Sequence, residues 1–132
     1  MNRLIVAFVF SLSSAALAQT TPPRSVGNDL MTRELPDWAG KEALVRANEY
    51  PPGTSNPPHR HNAHVFLHLL EGSLMVQVKG GEVVTLKPGD TYYEGPDDIH
   101  VVSRNPSSTV TAKALIFIIK NKGAPVTTLV QD

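Results

Sequence analysis

Four of the five histidines fall between positions 59 and 68, and the fifth is His100. His59, Arg60 and His61 form an HxH pair directly behind Pro57 and Pro58. Prolines hold a segment extended and strip it of backbone donors. On an extended segment alternate side chains share a face, so His59 and His61 point together, about 6.6 Å apart along the chain, with Arg60 opposite. Two imidazoles so placed can reach one metal ion. The competing reading is a pair of surface histidines in a proline-rich loop. A fifth histidine further along favours the metal reading without deciding it. Imidazole suits zinc, copper, iron and nickel, and manganese where oxygen ligands assist, so the cofactor expected is a divalent transition metal: Fe, Mn, Ni, Cu or Zn. The chain has no cysteine. That excludes a disulfide scaffold, a thiol nucleophile and any thiolate metal site. An ion must therefore rest on histidines and carboxylates.

The elements that must position these histidines read as short strands. Ala43 to Tyr50 partly alternates and is stopped by Pro51-Pro52-Gly53. Val65 to Leu70 closes at Glu71-Gly72. Ser73 to Lys79 turns through Gly80-Gly81 into Glu82 to Leu86. Lys87-Pro88-Gly89-Asp90 makes another turn before Thr91 to Glu94, Ile99 to Arg104 and Val110 to Lys120. Turn signals about every ten residues mark an all-β sandwich or barrel, and no long 3.6-residue apolar period supports a helical bundle. Alternation sends Leu74, Val76 and Val78 inward and Met75, Gln77 and Lys79 outward. Ala114 to Ile119 is apolar on both faces, which predicts a second chain against it and hence a homodimer. The alternative cover is the segment from Lys122 to Asp132. Leu30 to Lys41 is mixed, with room for one helical turn, and Trp38 is expected to plug one end of the core.

The chain has 132 residues, the length of one domain, with 12 basic and 12 acidic side chains. A neutral balance leaves no electrostatic footprint for nucleic acid or anionic lipid. Hydrophobic residues make up 41% and charged residues 18%, which argues against disorder. Arg3, the apolar stretch from Leu4 to Leu17 and the Ala16-Leu17-Ala18 cleavage pattern read as a secretory signal peptide over residues 1–18. The stretch is shorter than the roughly 20 residues that span a bilayer. The expectation is export to a bacterial periplasm, with no membrane contact after cleavage. Residues 19–41 then form a leader and lid, 42–122 the barrel, and 123–132 a tail.

From Gly53 to about Asn105 the chain resembles the small cupins. Gly53, five residues, then His59-Arg60-His61 and a strand ending at Gly72 match the first cupin motif. Gly89 to His100, with Asn105 beyond, occupies the place of the second. Four residues separate His100 from Asn105, one more than the family pattern. The resemblance implies a double-stranded β-helix, a jelly roll with the metal inside. It also implies that His59, His61 and His100 are ligands. The family's fourth ligand, a glutamate, falls on Val65 when counted back from Gly72, and valine cannot bind metal. Three readings follow: three histidines with waters, His64 swung in as a fourth ligand through a local bulge, or no physiological metal.

Further side chains carry weaker expectations. His68 is in phase with Phe66 and should face outward. Asp97 or Asp98 can orient a ligand histidine, although plain turn formation explains both. One of Tyr92 and Tyr93 points inward. Arg104, in phase with His100, can reach the rim and an anionic substrate. The function expected is a metal-dependent enzyme on a small molecule, dioxygenase-like, isomerase or lyase. The alternatives are a barrel that captures a small ligand or metal without turnover, and an assembly role for the doubly apolar strand.

Overall fold

The computed structural model describes residues 20–131. The expected signal peptide, residues 1–18, lies outside them. Ten strands follow in order: β1 (Val26–Glu34), β2 (Lys41–Tyr50), β3 (His59–Arg60), β4 (His64–Glu71), β5 (Leu74–Val78), β6 (Val84–Leu86), β7 (Thr91–Glu94), β8 (His100–Arg104), β9 (Ala112–Asn121) and β10 (Thr128–Leu129). They build two antiparallel sheets, ordered β1-β2-β9-β4-β7 and β10-β3-β8-β5-β6. This is the all-β sandwich expected from the recurring turns, and the jelly roll that the resemblance implies. Among the described residues there is no helix.

Strand alternation fills the space between the sheets. Val65, Leu67 and Leu69 of β4, Leu74 and Val76 of β5, and Ala112, Ala114, Ile116 and Ile118 of β9 are all buried. Burying a Val, Leu or Ile side chain contributes about 1.5–3 kcal/mol, so these three strands carry much of the core. The opposite faces of β4 and β9 show Phe66 and Phe117, 46% and 43% exposed. Gly72 ends β4 at φ 76°, with the Cα of Ala112 2.8 Å from where a Cβ would sit. Here both the turn angle and the close approach require glycine.

Three expectations are corrected. The segment before Glu34 is neither leader nor helical turn: Val26–Glu34 is an edge strand paired along β2. All nine of its residues are exposed. A strand with no buried face has no alternating apolar signature, so the sequence pattern is silent there. Trp38 is 47% exposed and lies beside the Lys41 ammonium rather than in the core.

The third correction concerns β8. Gln77 pairs with Val102, but the next residue, Val78, pairs with His100. Val101 is therefore an extra residue, a bulge that reverses the alternation beyond it. Ser103 joins His100 as a buried residue, and Arg104 turns outward, its guanidinium 3.2 Å from the Met75 sulfur. Arg104 is not a rim residue of the site. The bulge takes up the one residue by which the His100–Asn105 spacing exceeds the family pattern. Asn105 keeps a buried place, donating from Nδ2 to the carbonyls of Tyr50 (2.9 Å) and Val110 (2.8 Å).

Candidate metal centre

Three elements bring the histidines together. β3 pairs with β8 so that His59 and His100 are direct Cα partners. His61 follows β3 immediately, and Asn62, at φ 49°, turns the chain into β4. Asparagine tolerates this left-handed conformation better than most residues. The His59 ring centroid lies 5.0 Å from those of both His61 and His100. One ring nitrogen from each of the three lies within 4.8 Å of those from the other two.

The hydrogen bonds fix how these rings face. His59 Nδ1 lies 2.8 Å from the Pro57 carbonyl oxygen, and His61 Nδ1 lies 2.6 Å from that of Val126. A carbonyl can only accept, so each Nδ1 carries the proton and each Nε2 is left as a lone pair. His100 is 4% exposed, and neither of its nitrogens has a hydrogen-bond partner. An orphaned buried imidazole beside two inward lone pairs is a donor set that fits a cation. Burial, reinforced by the neighbouring imidazoles, pushes His59 down to about 4, so it is neutral and able to ligate at ordinary pH.

The remaining candidates are set elsewhere. His64 lies on the other face of β4 from Val65, its Nδ1 2.8 Å from the Tyr93 hydroxyl and its ring stacked on Tyr93. It is not brought to the three histidines. His68 is on that same outer face, partly exposed. Of the two tyrosines, Tyr93 points out and Tyr92 is half-buried, its ring 6.4 Å from that of His100. Asp98 closes the turn, accepting from the Gly95 amide at 2.7 Å.

The residue that sequence reasoning missed is Glu94. It ends β7, is 3% exposed, and is the Cα partner of Val65. Its Oε2 lies 3.0 Å from His100 Nδ1 and 3.7 Å from His61 Nε2. Burial works to raise this carboxyl, but the contact with His100 and the other imidazoles outweighs it and holds it below the usual carboxylate range. The signal was present. Two positions after Tyr92 on an alternating strand, Glu94 had to share the inward face.

The histidines and Glu94 open onto a cavity of about 280 Å³, also lined by Arg46, Asn48 and Tyr50 of β2. Arg46 Nε lies 2.7 Å from Asp29 of β1. β1 crosses at Gly27, where any Cβ would meet the Arg46 and Asn48 side chains at 2.7 Å.

A family model for the Cupin domain matches residues 48–118, which contain all of these residues except Arg46 and the β1 pair. The chain is a cupin. No curated protein matches it in sequence. Among solved structures, this cupin is similar to the DMSP lyase DddQ from Ruegeria pomeroyi, with TM-score 0.65 and 20% identity over 81% of this chain and 52% of that one. It is similar to a cupin-2 domain protein from Rhodospirillum rubrum, with TM-score 0.64 and 19% identity over 85% of this chain and 70% of that one. It is also similar to an oxalate oxidase in complex with the substrate analogue glycolate, with TM-score 0.60 and 22% identity over 93% and 63%. The cupin thus spans only about half the length of the DMSP lyase it matches. At these identities the likeness is one of fold.

Proposed function

We propose that this cupin is an exported protein that holds one divalent transition metal ion on His59, His61 and His100 and uses it as an enzyme on a small molecule. The observation that carries the reading is the donor set: two imidazoles whose outer nitrogens are committed to carbonyls, and a third, buried, whose Nδ1 faces the Glu94 carboxylate and whose Nε2 has no hydrogen-bond partner. A bound ion of this kind supplies a Lewis acid that polarises a substrate oxygen. The chain's own part is to hold three neutral imidazoles in fixed orientation and to exclude bulk water from a small cavity. Arg46 and Asn48 line that cavity and can orient a polar substrate. Its size suits a molecule of a few heavy atoms, at the low end of ligand pockets. Lyase, isomerase and dioxygenase-like chemistry all fit such a site. DMSP and oxalate, which the similar structures' names carry, are the first compounds to try.

The test is metal content. The chain, purified without chelator and without a histidine tag, should carry about one equivalent of a transition metal by elemental analysis. The His59→Ala, His61→Ala double variant should carry none. Absence of metal in both, even after reconstitution, would remove the metalloenzyme reading and leave a barrel that captures a small ligand without turnover.

The exposed Phe66, Tyr93 and Phe117 on the outer face of β4, β7 and β9 support pairing with a second copy. The homodimer is part of this proposal, as is export through the segment before Gln19.

A further inference from the structure

We infer that Glu94 is the fourth protein ligand of the metal, a carboxylate supplied from β7 in place of the one the family pattern puts at Val65 on β4. The inference rests on the metal-site reading above and adds a residue that lies within the span of the second motif but that the motif does not make a ligand. Val65 and Glu94 are Cα partners across the β4–β7 ladder. Paired residues on adjacent strands project from the same face of a sheet. Both are buried, 2% and 3% exposed, so both side chains project into the barrel. A carboxylate leaving position 65 and one arriving at position 94 therefore enter the same interior space from neighbouring strands.

Two of the three distances agree: Glu94 reaches His100 and His61 but does not join the set of three histidines whose ligand atoms all lie within 4.8 Å of one another. Metal–ligand bonds to nitrogen and oxygen of about 2.0–2.2 Å place neighbouring ligand atoms on one ion about 3–3.5 Å apart. Glu94 Oε2 lies 3.0 Å from His100 Nδ1 and 3.7 Å from His61 Nε2. The approach to His100 is the closest of these contacts, and His100 Nε2 has no hydrogen-bond partner. Charge points the same way. Apart from Arg46, already paired with Asp29, no basic side chain lines the cavity, so nothing but the imidazoles answers the buried carboxylate.

The experiment measures Zn²⁺ affinity by competition with a chromophoric chelator. Wild type, the His59→Ala, His61→Ala double variant, Glu94→Gln, Glu94→Ala, and Glu94→Gln combined with Val65→Glu are compared, each checked for folding by its metal-free melting curve. Glutamine keeps the shape of Glu94 and an oxygen that can accept from a His100 N–H, but loses the charge. A ligand role predicts that Glu94→Gln loses at least a hundredfold in affinity, as Glu94→Ala does. It also predicts that adding Val65→Glu recovers at least tenfold of that loss. A loss in Glu94→Gln of less than tenfold, or no recovery from Val65→Glu, would overturn the assignment and leave Glu94 as a positioning residue for His100. Failure of wild type to bind Zn²⁺ would instead remove the metal site itself, and Glu94's role with it.

Discussion

His61 and Val126 are joined across 65 residues of sequence: the imidazole Nδ1 lies 2.6 Å from the carbonyl oxygen that β10 and its approach bring over the site. Beside it, Leu129 pairs with His59. The C-terminal segment is thus the outer support of the HxH pair, fixing the tautomer of His61 and the position of β3. Loss of such a supporting partner costs 10–100-fold in metal affinity. Truncation after Pro125 should weaken metal binding within that range, measured by chelator competition, while the barrel still unfolds cooperatively. Unchanged affinity would show that the segment supports nothing.

His64 should be dispensable for metal. Its ring is occupied with Tyr93 on the outer face. His64→Ala is expected to leave metal content by elemental analysis equal to wild type, while His100→Ala lowers it.

Acid should destabilise the metal-free protein before it protonates the exposed carboxylates. The folded pKa of His59, about 4, lies below its ordinary value of 6.5. Between those values the unfolded chain takes up a proton that the folded chain refuses. Stability is therefore full above about pH 6.5 and declines as pH falls toward 4, by as much as ~3 kcal/mol from this group. Glu94 acts in the same direction, since a carboxylate held below its usual range is stabilising when ionised and loses that contribution as it protonates. Urea midpoints measured from pH 7.5 to 4.5 should fall steadily. In His59→Asn the fall over this range should be shallower.

Gly72→Ala tests the turn that closes β4. It forces an L side chain into φ 76° and a Cβ to 2.8 Å from the Ala112 Cα. The expected loss is about 1–3 kcal/mol or more, seen as a drop of several degrees in melting temperature.

The outer face of β4 and β9 should govern self-association. Charge at Phe66 and Phe117, as in a Phe66→Lys, Phe117→Lys double variant, is expected to convert a dimer to monomer in sedimentation velocity without loss of metal. A wild-type chain that sediments as a monomer at all concentrations would dismiss the homodimer.

Much of the barrel was legible because most of its strands have one buried face. The Thr91–Glu94 strand was read with its observed bounds, and Val65, Leu67 and Leu69 showed the inward face of β4 by alternation alone. β1 was not legible, since no residue from Val26 to Glu34 is buried. The three histidines were legible from spacing and motif. Glu94 was overlooked because motif counting fastened on position 65, whereas the sheet register relates position 65 to position 94 across the β4–β7 ladder, with β5 and β6 between them in sequence. Arg104 was misplaced for the opposite reason: alternation holds only while the ladder stays regular, and β8 bulges before reaching it.

A strand that stores one spare residue can change length where a regular strand cannot. In a regular stretch of these sheets an insertion would rotate every later side chain to the wrong side of its sheet. In β8, His100 is fixed at one end by its pairing with His59 and Asn105 at the other by the carbonyls it holds, so the slack gathers at Val101 between them. Descendants of this chain can lose or gain a residue there and change only the surface near Arg104. Evolution thus has a place to edit the length of the barrel wall while the centre behind it stands still.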